Sequence, residues 1–557
     1  MNFRDEIAKT ISEGLNVTTN EVVEALEVPP DYALGDYAFP CFKFASKSGK
    51  KPNELAKELS ETIKLDFVEN IETKGAYLNF FIKAENVVEN VLSEISEKKE
   101  CYGSTNEGKG KTVVMDYSSP NIAKPFGIGH LRSTVIGNSI YRILKFRGYN
   151  CVGVNHLGDW GTQFGKLIVA YENWGEEKKL EKDPIKHLLD IYVKFHDEAK
   201  INPELDEEAR EEFRKLENGN KKSLAIWEMF KELSLKEFEK YYAELNIEFD
   251  SNAGESFYND KMDAAIKTLE KKVKTELSDG ALVVELEKMP PFMLKKTNGS
   301  STYHTRDLAA AIYRLTEYKA DKLLYVVGAP QKLHFKQLFS VLGKMGHEES
   351  KFEHVDFGHF LGMSTRKGNI IFLEDVLDKG IELAKKIISV KNPKLKNKNE
   401  VAKMVGIGAI IFGDLSSDRV KDVEFDWDRI LNFEGESGPY VQYTHARCCS
   451  VLKKSETEIK KTGLKWDKFT SEEELKLIKH LGSFENAIEQ AAKQYKPSII
   501  ARYLLDLCGL FNSFYAKHKI IGSEEELLQL RLLLVDSVRT IIDSGLNLLG
   551  IKAPEEM

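Results

Sequence analysis

The sequence predicts an α/β protein, with a parallel-sheet domain in mid-chain, an α+β block before it and an all-α block after it. Three observations carry this. Two short apolar runs, TVVMDY (112–117) and CVGVNHLG (151–158), bracket a helical pattern of apolar positions running from Leu131 to Leu144. A third run, KLLYVVG (322–328), is followed by a second helical pattern, QKLHFKQLFSVLGKMG. From about residue 430 the apolar spacing is helical throughout. Strand, helix and strand within about forty residues form a right-handed βαβ unit. Wide-faced helices in series suit a bundle.

In chain order, residues 1–108 open with a helical pattern and include GAYLNFFI (75–82), whose alternation suits a strand. STNEGKGKT (104–112) reads as a linker. Residues 109–430 hold the Rossmann-type unit. TVVMDY is apolar on both faces, as a buried parallel strand must be. Leu131, Val135, Ile136, Ile140, Ile143 and Leu144 keep helical spacing, and Gly148 is the stop. From about 175 to 285 the chain is charged and helical, as in DEEAREEFRKLENGNKKSLAIWEMF. A helical insertion fits, because a structureless crossover of that length is unusual. Residues 431–557 supply the helical bundle.

The 557 residues carry a formal net charge of −8, which disfavours a general nucleic-acid coat but leaves room for local basic surfaces. No apolar run approaches the ~18 residues that span a bilayer. MNFRDEIAKTISEGL is mixed in charge, unlike a signal peptide. Six cysteines occur, none in a CxxC pair and none with a histidine cluster that completes a zinc pattern. We expect free thiols, a reducing cytoplasm, no membrane and no tightly bound metal.

Two segments suit phosphate chemistry. SSPNIAKPFGIGHLRSTVIG (118–137) joins the first strand to its helix. A strand-to-helix turn at the carboxyl edge of a parallel sheet exposes backbone N–H groups and the positive end of a helix dipole. Gly127 and Gly129 let a ligand approach the backbone, and Lys124, His130 and Arg132 add donors. Downstream, MSTRKG (363–368) is a short basic loop suited to neutralising phosphate charge. Asp116 ends a buried strand and is either a site residue or a paired structural ion. Tyr303 and Asp307 share a face if helical.

SPNIAKPFGIGHLRST resembles the HIGH-type signature of class I aminoacyl-tRNA synthetases, and GMSTRKG resembles their KMSKS-type loop. SSPNIAKPF, NHLGDWGTQFGKL (155–167), YHTRDLAAAIYR (303–314), GPYVQYTHAR (438–447) and the ending LGIKAPEEM look specifically like arginyl-tRNA synthetase. The resemblance spans nearly the whole chain and is weakest in the first block and the charged insertion.

It implies a two-step reaction. Arginine and ATP, accompanied by Mg2+, give arginyl-adenylate and pyrophosphate. The arginyl group then passes to the 3′-terminal adenosine of tRNA(Arg). By resemblance His130 faces the nucleotide, and Lys124 stands in for the second lysine of the KMSKS-type loop, whose place Thr365 takes here. Arg366 and Lys367 are the remaining loop cations. Phe126, Gly127, Gly129, Met363, Ser364 and Thr365 are expected to line ATP. Asp116, Ser119, Asn121, Tyr303, Asp307 and Gln331 are expected to bind arginine, with Asp116 standing where the family usually has glutamate. His156 and His334 are weaker additions.

The family signature usually starts with histidine where this chain has Gly127. Residues 1–108 resemble the N-terminal tRNA-contacting addition of the family and residues 431–557 its helical anticodon-binding domain, in which Tyr440, Tyr443 and Phe514 are the expected tRNA contacts. Tyr515 and Phe511 have the same chemistry. A monomer is the family default. Another class I synthetase, a small nucleotidyltransferase and a non-catalytic tRNA-binding paralogue remain open at this point.

Overall fold

The structure, a computed structural model, describes residues 2–29, 32–361, 372–460 and 462–557. It divides into two compact units. One comprises Met1–Tyr102, Val451–Ser483 and Gly509–Thr540, and the other Gly103–Ser450, Phe484–Cys508 and Ile541–Met557. Residues of the final helical block contribute to both.

The first unit begins with the helix Phe3–Leu15, capped by the Asn2 side chain on Asp5 N. Its antiparallel sheet comprises β1 (Tyr37–Pro40), β2 (Val68–Lys74) and β3 (Tyr77–Ile82) in the order β1-β3-β2. Ile7, Ile11, Phe39, Leu55, Leu59 and Phe80 fill the space between helices and sheet. The GAYLNFFI strand is the centre of this sheet, which is why its burial exceeds that of β2.

The second unit is built on four parallel strands. They are β4 (Thr112–Asp116), β5 (Asn150–Val154), β9 (Lys322–Tyr325) and β10 (Phe352–His354), in the order β10-β9-β4-β5. The helix Ile128–Phe146 joins β4 to β5, and Lys332–Lys344 joins β9 to β10. The two crossovers therefore leave the paired strands β4 and β9 in opposite directions. A crevice opens at the carboxyl ends of such strands, the usual ligand site of an open parallel sheet. Asp116 sits there, in register with Val154 on one side and Tyr325 on the other. Gly137 allows the helix to lie against this end of β4, since a Cβ there would stand 2.4 Å from the Cβ of Tyr117.

After the helix Thr162–Trp174, the insertion supplies the helices Pro184–Ala199, Glu204–Glu217 and Lys221–Glu244. After them comes an element that the periodicity does not foretell, an antiparallel sheet of β6 (Glu276–Ser278), β7 (Ala281–Val284) and β8 (Phe292–Lys295). Strands of three or four residues are too short to show an alternation of their own. The last two strands, β11 (Phe360–Leu361) and β12 (Val423–Glu424), pair in parallel. Among the described residues, no helix is long and apolar enough to cross a membrane.

Candidate active site

The turn after β4 is held in an unusual backbone path. Ser118, Ser119 and Ala123 all have positive φ, at 70°, 50° and 58°. Non-glycine residues pay for that conformation, and three within six positions mean that the surroundings impose it. The imposing contacts are specific. Ser118 N donates to Ser133 Oγ (2.9 Å), which donates to Val326 O (2.6 Å). Ser119 N donates to Asn155 Oδ1 (3.2 Å), and Ala123 N to Ser234 Oγ (2.8 Å). Gly158 N donates to Pro120 O (3.0 Å), and Ile122 N returns to Gly158 O (3.3 Å).

The insertion helix Lys221–Glu244 is thus a backstop for the turn. Besides Ser234, it supplies Tyr242, whose buried hydroxyl lies 2.9 Å from Ser118 Oγ and accepts from Asn155 Nδ2 at 3.1 Å. Replacing Tyr242 by Phe leaves both buried partners short of a bond, at a cost of about 1–3 kcal/mol. We expect a lower urea midpoint for that variant; an unchanged midpoint would show that the turn holds itself.

His130 lies in the first turn of the helix Ile128–Phe146, whose N-cap is Gly127. Its Nδ1 is buried without a hydrogen-bond partner in the described structure. Burial, with nearby Lys124 adding to it, holds its pKa below the ordinary histidine value, so the imidazole is neutral at physiological pH. Lys124 is half-buried, its Nζ 6.0 Å from the Tyr192 ring. Gly129 is exposed, and a Cβ there would meet nothing within 4 Å.

Phe126 departs from its expected part in ATP binding. Its ring is 3 % exposed and packs among His130, Phe238, Tyr241 and Tyr242, while its carbonyl accepts from Leu373 N at 2.8 Å. It supports the turn from within rather than lining a ligand.

Met363, Ser364, Thr365, Arg366, Lys367 and Gly368 lie outside the described residues. The chain on either side is anchored. Leu361 ends β11, and Phe372 bridges to Gly127 of the signature turn. Arg132, 1 % exposed, pairs with buried Asp414 (2.8 Å) and donates to Lys421 O (3.0 Å) and Arg419 O (3.3 Å). It therefore fastens the signature helix to the segment that leads into β12.

The surroundings of Asp307 are more strongly acidic than the motifs suggest. Tyr303 and Asp307 do lie on one helix, Tyr303–Thr316. Tyr303 is exposed and stacks on His304 at 4.0 Å. Asp307 accepts from His334 Nε2 (2.6 Å) and lies 3.8 Å from His156 Nε2. Burial opposes its charge, but His334, His156 and Arg314 hold its pKa below the ordinary carboxylate value. Gln331 is exposed just before the helix Lys332–Lys344. Asn121 bridges to Gly158 through its backbone. Asp116 is paired at both oxygens. Ser119 Oγ donates to its Oδ1 (2.9 Å), and Arg314 Nη1 holds its Oδ2 (2.9 Å).

Sequence reasoning missed Glu255. It starts a short 3-10 turn whose position is set by Asp159, which accepts from Ser256 N (2.7 Å) and pairs with Lys231 (2.6 Å). Burial pushes Glu255 up to about 7. Arg306 at 3.5 Å pulls it down, while Asp307 and Asp159 push it further up. A carboxyl group under that pressure gains from an incoming cation. The only signal in the sequence was GDWG, since Asp159 organises the turn.

Residues 88–427 match the family described as tRNA synthetases class I (R), catalytic domain, and residues 1–82 match the arginyl tRNA synthetase N terminal domain. The chain belongs to the arginyl-tRNA synthetases. Curated arginine–tRNA ligases of Clostridium botulinum (strain Langeland) and Clostridioides difficile are 49% and 47% identical to it, each covering 100% of both chains. The solved arginyl-tRNA synthetase of Thermus thermophilus superposes with a TM-score of 0.84 at 26% identity over 100% of both chains. That of Plasmodium falciparum gives 0.81, also at 26% identity, over 99% of each.

In this arginyl-tRNA synthetase, residues 441–557 match the DALR anticodon binding domain. Phe514 does not suit the base-stacking role expected of it. It is fully buried, 6.3 Å from Phe511 and stacked on His518 at 5.6 Å. Its neighbour Tyr515 is 41% exposed and is the aromatic that faces solvent on this helix turn. Tyr440 and Tyr443 are half-exposed, and the Arg447 guanidinium lies 4.8 Å from the Tyr443 ring.

Proposed function

We propose that the chain activates L-arginine with ATP and transfers it to the 3′-terminal adenosine of tRNA(Arg), releasing pyrophosphate and AMP. The observation that supports this is Asp307, linked through His156 and Arg314 to Asp116 at the carboxyl end of β4, with Glu255 close enough to feel its charge. A guanidinium needs anions in fork geometry. The arginine carboxylate attacks the α-phosphorus in line with the departing pyrophosphate, a step that needs positioning and charge neutralisation more than a base.

In this reading the neutral His130 imidazole donates an N–H to the phosphates, and Lys124 adds a positive charge. Gly129, where a Cβ would meet nothing, admits the nucleotide to the backbone next to the helix cap Gly127. Met363, Ser364 and Thr365 bind it, Arg366 and Lys367 neutralise phosphate charge, and Mg2+ enters as part of the ATP substrate. Asp307, Glu255 and Tyr303 take the guanidinium end. Ser119, Asn121, Gln331 and Asp116 take the ammonium and carboxylate end. Residues 1–108, 109–430 and 431–557 act as tRNA-contacting, catalytic and anticodon-binding regions, with Tyr440, Tyr443 and Tyr515 as base platforms. The working form is a cytoplasmic monomer.

ATP–pyrophosphate exchange with each of the twenty amino acids, with and without tRNA, tests the reading. We expect exchange with arginine alone. Exchange with another amino acid would reassign the pocket. No exchange under any condition would leave a tRNA-binding protein without this chemistry.

A further inference from the structure

The two acids that sequence places in the arginine pocket are joined beneath it by groups of the chain itself. Arg314, 1 % exposed, comes from the same helix as Asp307. Its Nη1 lies 2.9 Å from Asp116 Oδ2, and its Nη2 lies 3.4 Å from His156 Nδ1. Its guanidinium stands 5.6 Å from the Tyr325 ring, at the end of β9. His156 in turn directs Nε2 at Asp307 Oδ1, 3.8 Å away. Its Nδ1 is also 3.3 Å from Ala253 O. One ring nitrogen cannot both accept from Arg314 and donate to Ala253. The tautomer that accepts from Arg314 turns Nε2–H toward Asp307.

We propose that Arg314 is a positioning residue that sets the direction in which arginine binds, by occupying the face of Asp116 that a substrate guanidinium would otherwise take. This rests on the reading that the pocket binds arginine. A carboxylate presents two oxygens to a guanidinium fork. At Asp116 one oxygen is held by the internal guanidinium and the other accepts from Ser119 Oγ. What remains suits a single-point ammonium donor, not a second fork. Among the described residues Asp307 and Glu255 stay free of such a fork, since Asp307 is held by imidazoles and Glu255 has only Arg306 at 3.5 Å. The side chain of arginine is thereby sent toward Asp307 and its α-ammonium toward Asp116. Burial works against the charge of Arg314, but Asp116, with Tyr258 and Tyr325 beside it, more than offsets this and keeps the guanidinium protonated.

The test uses the full chain with tRNA present, measuring ATP–pyrophosphate exchange on Arg314→Met and Arg314→Lys beside thermal melts. Arginine-dependent exchange by the unaltered chain comes first, and its absence would sink the functional reading rather than this inference. For a folded Arg314→Met we expect an arginine KM raised about tenfold or more with an ATP KM changed less than about threefold, a split that general loosening would not produce. Arg314→Lys keeps the charge but not the fork, so we expect about half of that loss on a logarithmic scale. Equal rises in both KM values overturn the inference. If Arg314→Met does not fold, because it strands a buried carboxylate, Arg314→Lys decides alone. A normal arginine KM in that variant means that the fork on Asp116 and His156 sets nothing.

Discussion

Replacing His130 or Lys124 by alanine should lower turnover in arginine activation by about 10²- to 10³-fold, the range for losing one preorganised donor at a developing charge, while Gly127→Ala should cost less than about threefold. The difference follows from the turn. His130 carries a buried nitrogen with no partner in the described structure, an expensive arrangement unless a ligand completes it. Burial and the nearby Lys124 hold the ring neutral, so it donates a hydrogen bond without adding charge. Lys124 complements it as the cation. Gly127 offers no side chain, and its φ of −85° and ψ of 159° are open to any residue, so a methyl group meets no backbone penalty there. Its contribution is the backbone pairing with Phe372, which alanine keeps. Single-turnover adenylate formation with tRNA present gives the comparison. Equal losses in all three variants would mean that the glycine itself is required, and that Lys124 does not compensate for the missing signature histidine.

What could be read in advance follows the range of the interactions involved. The βαβ unit was legible because apolar period and chain order are local, and Tyr303 and Asp307 fell on one face because four residues make one helical turn. The placement of β9 beside β4, which creates the crevice, is a matter of pairing between distant segments and leaves no mark on either strand. For the same reason Asp116 could not be told apart from a paired structural ion, since its partner Arg314 lies far along the chain. Phe514 and Tyr515 are adjacent and chemically alike, and only packing shows that the first is core and the second is surface. The sheet β6-β7-β8 was hidden by strands of three or four residues within a charged stretch. Glu255 was hidden more deeply. It belongs to no motif, and its character comes from burial beside Asp307 and Asp159.

That hidden acid carries the second large effect, and pH exposes it. The group is neutral below about 7 in the free enzyme and anionic above it. Arginine stays cationic across this range, so its attraction to the pocket strengthens as pH rises through about 7. The pH dependence of kcat/KM reports groups of the free enzyme. We therefore expect kcat/KM for arginine to fall, by up to about tenfold per pH unit, below that point. The groups facing Glu255 are Arg306, Asp307 and Asp159, the last of them neutralised by Lys231. Asp307 is ionised well below this range, so it adds no step of its own there. Glu255→Gln keeps the shape and removes the titration. It should lower kcat/KM for arginine at pH 8 by about 10²-fold, as losing one of two buried anions against a fork implies, and flatten the profile between pH 6 and 8. The same variant should leave the ATP KM near normal, because the proposed reading gives Glu255 to the guanidinium and not to the nucleotide. A Gln variant that keeps the acid limb would place the titrating group elsewhere and leave Asp307 as the sole anion for the guanidinium.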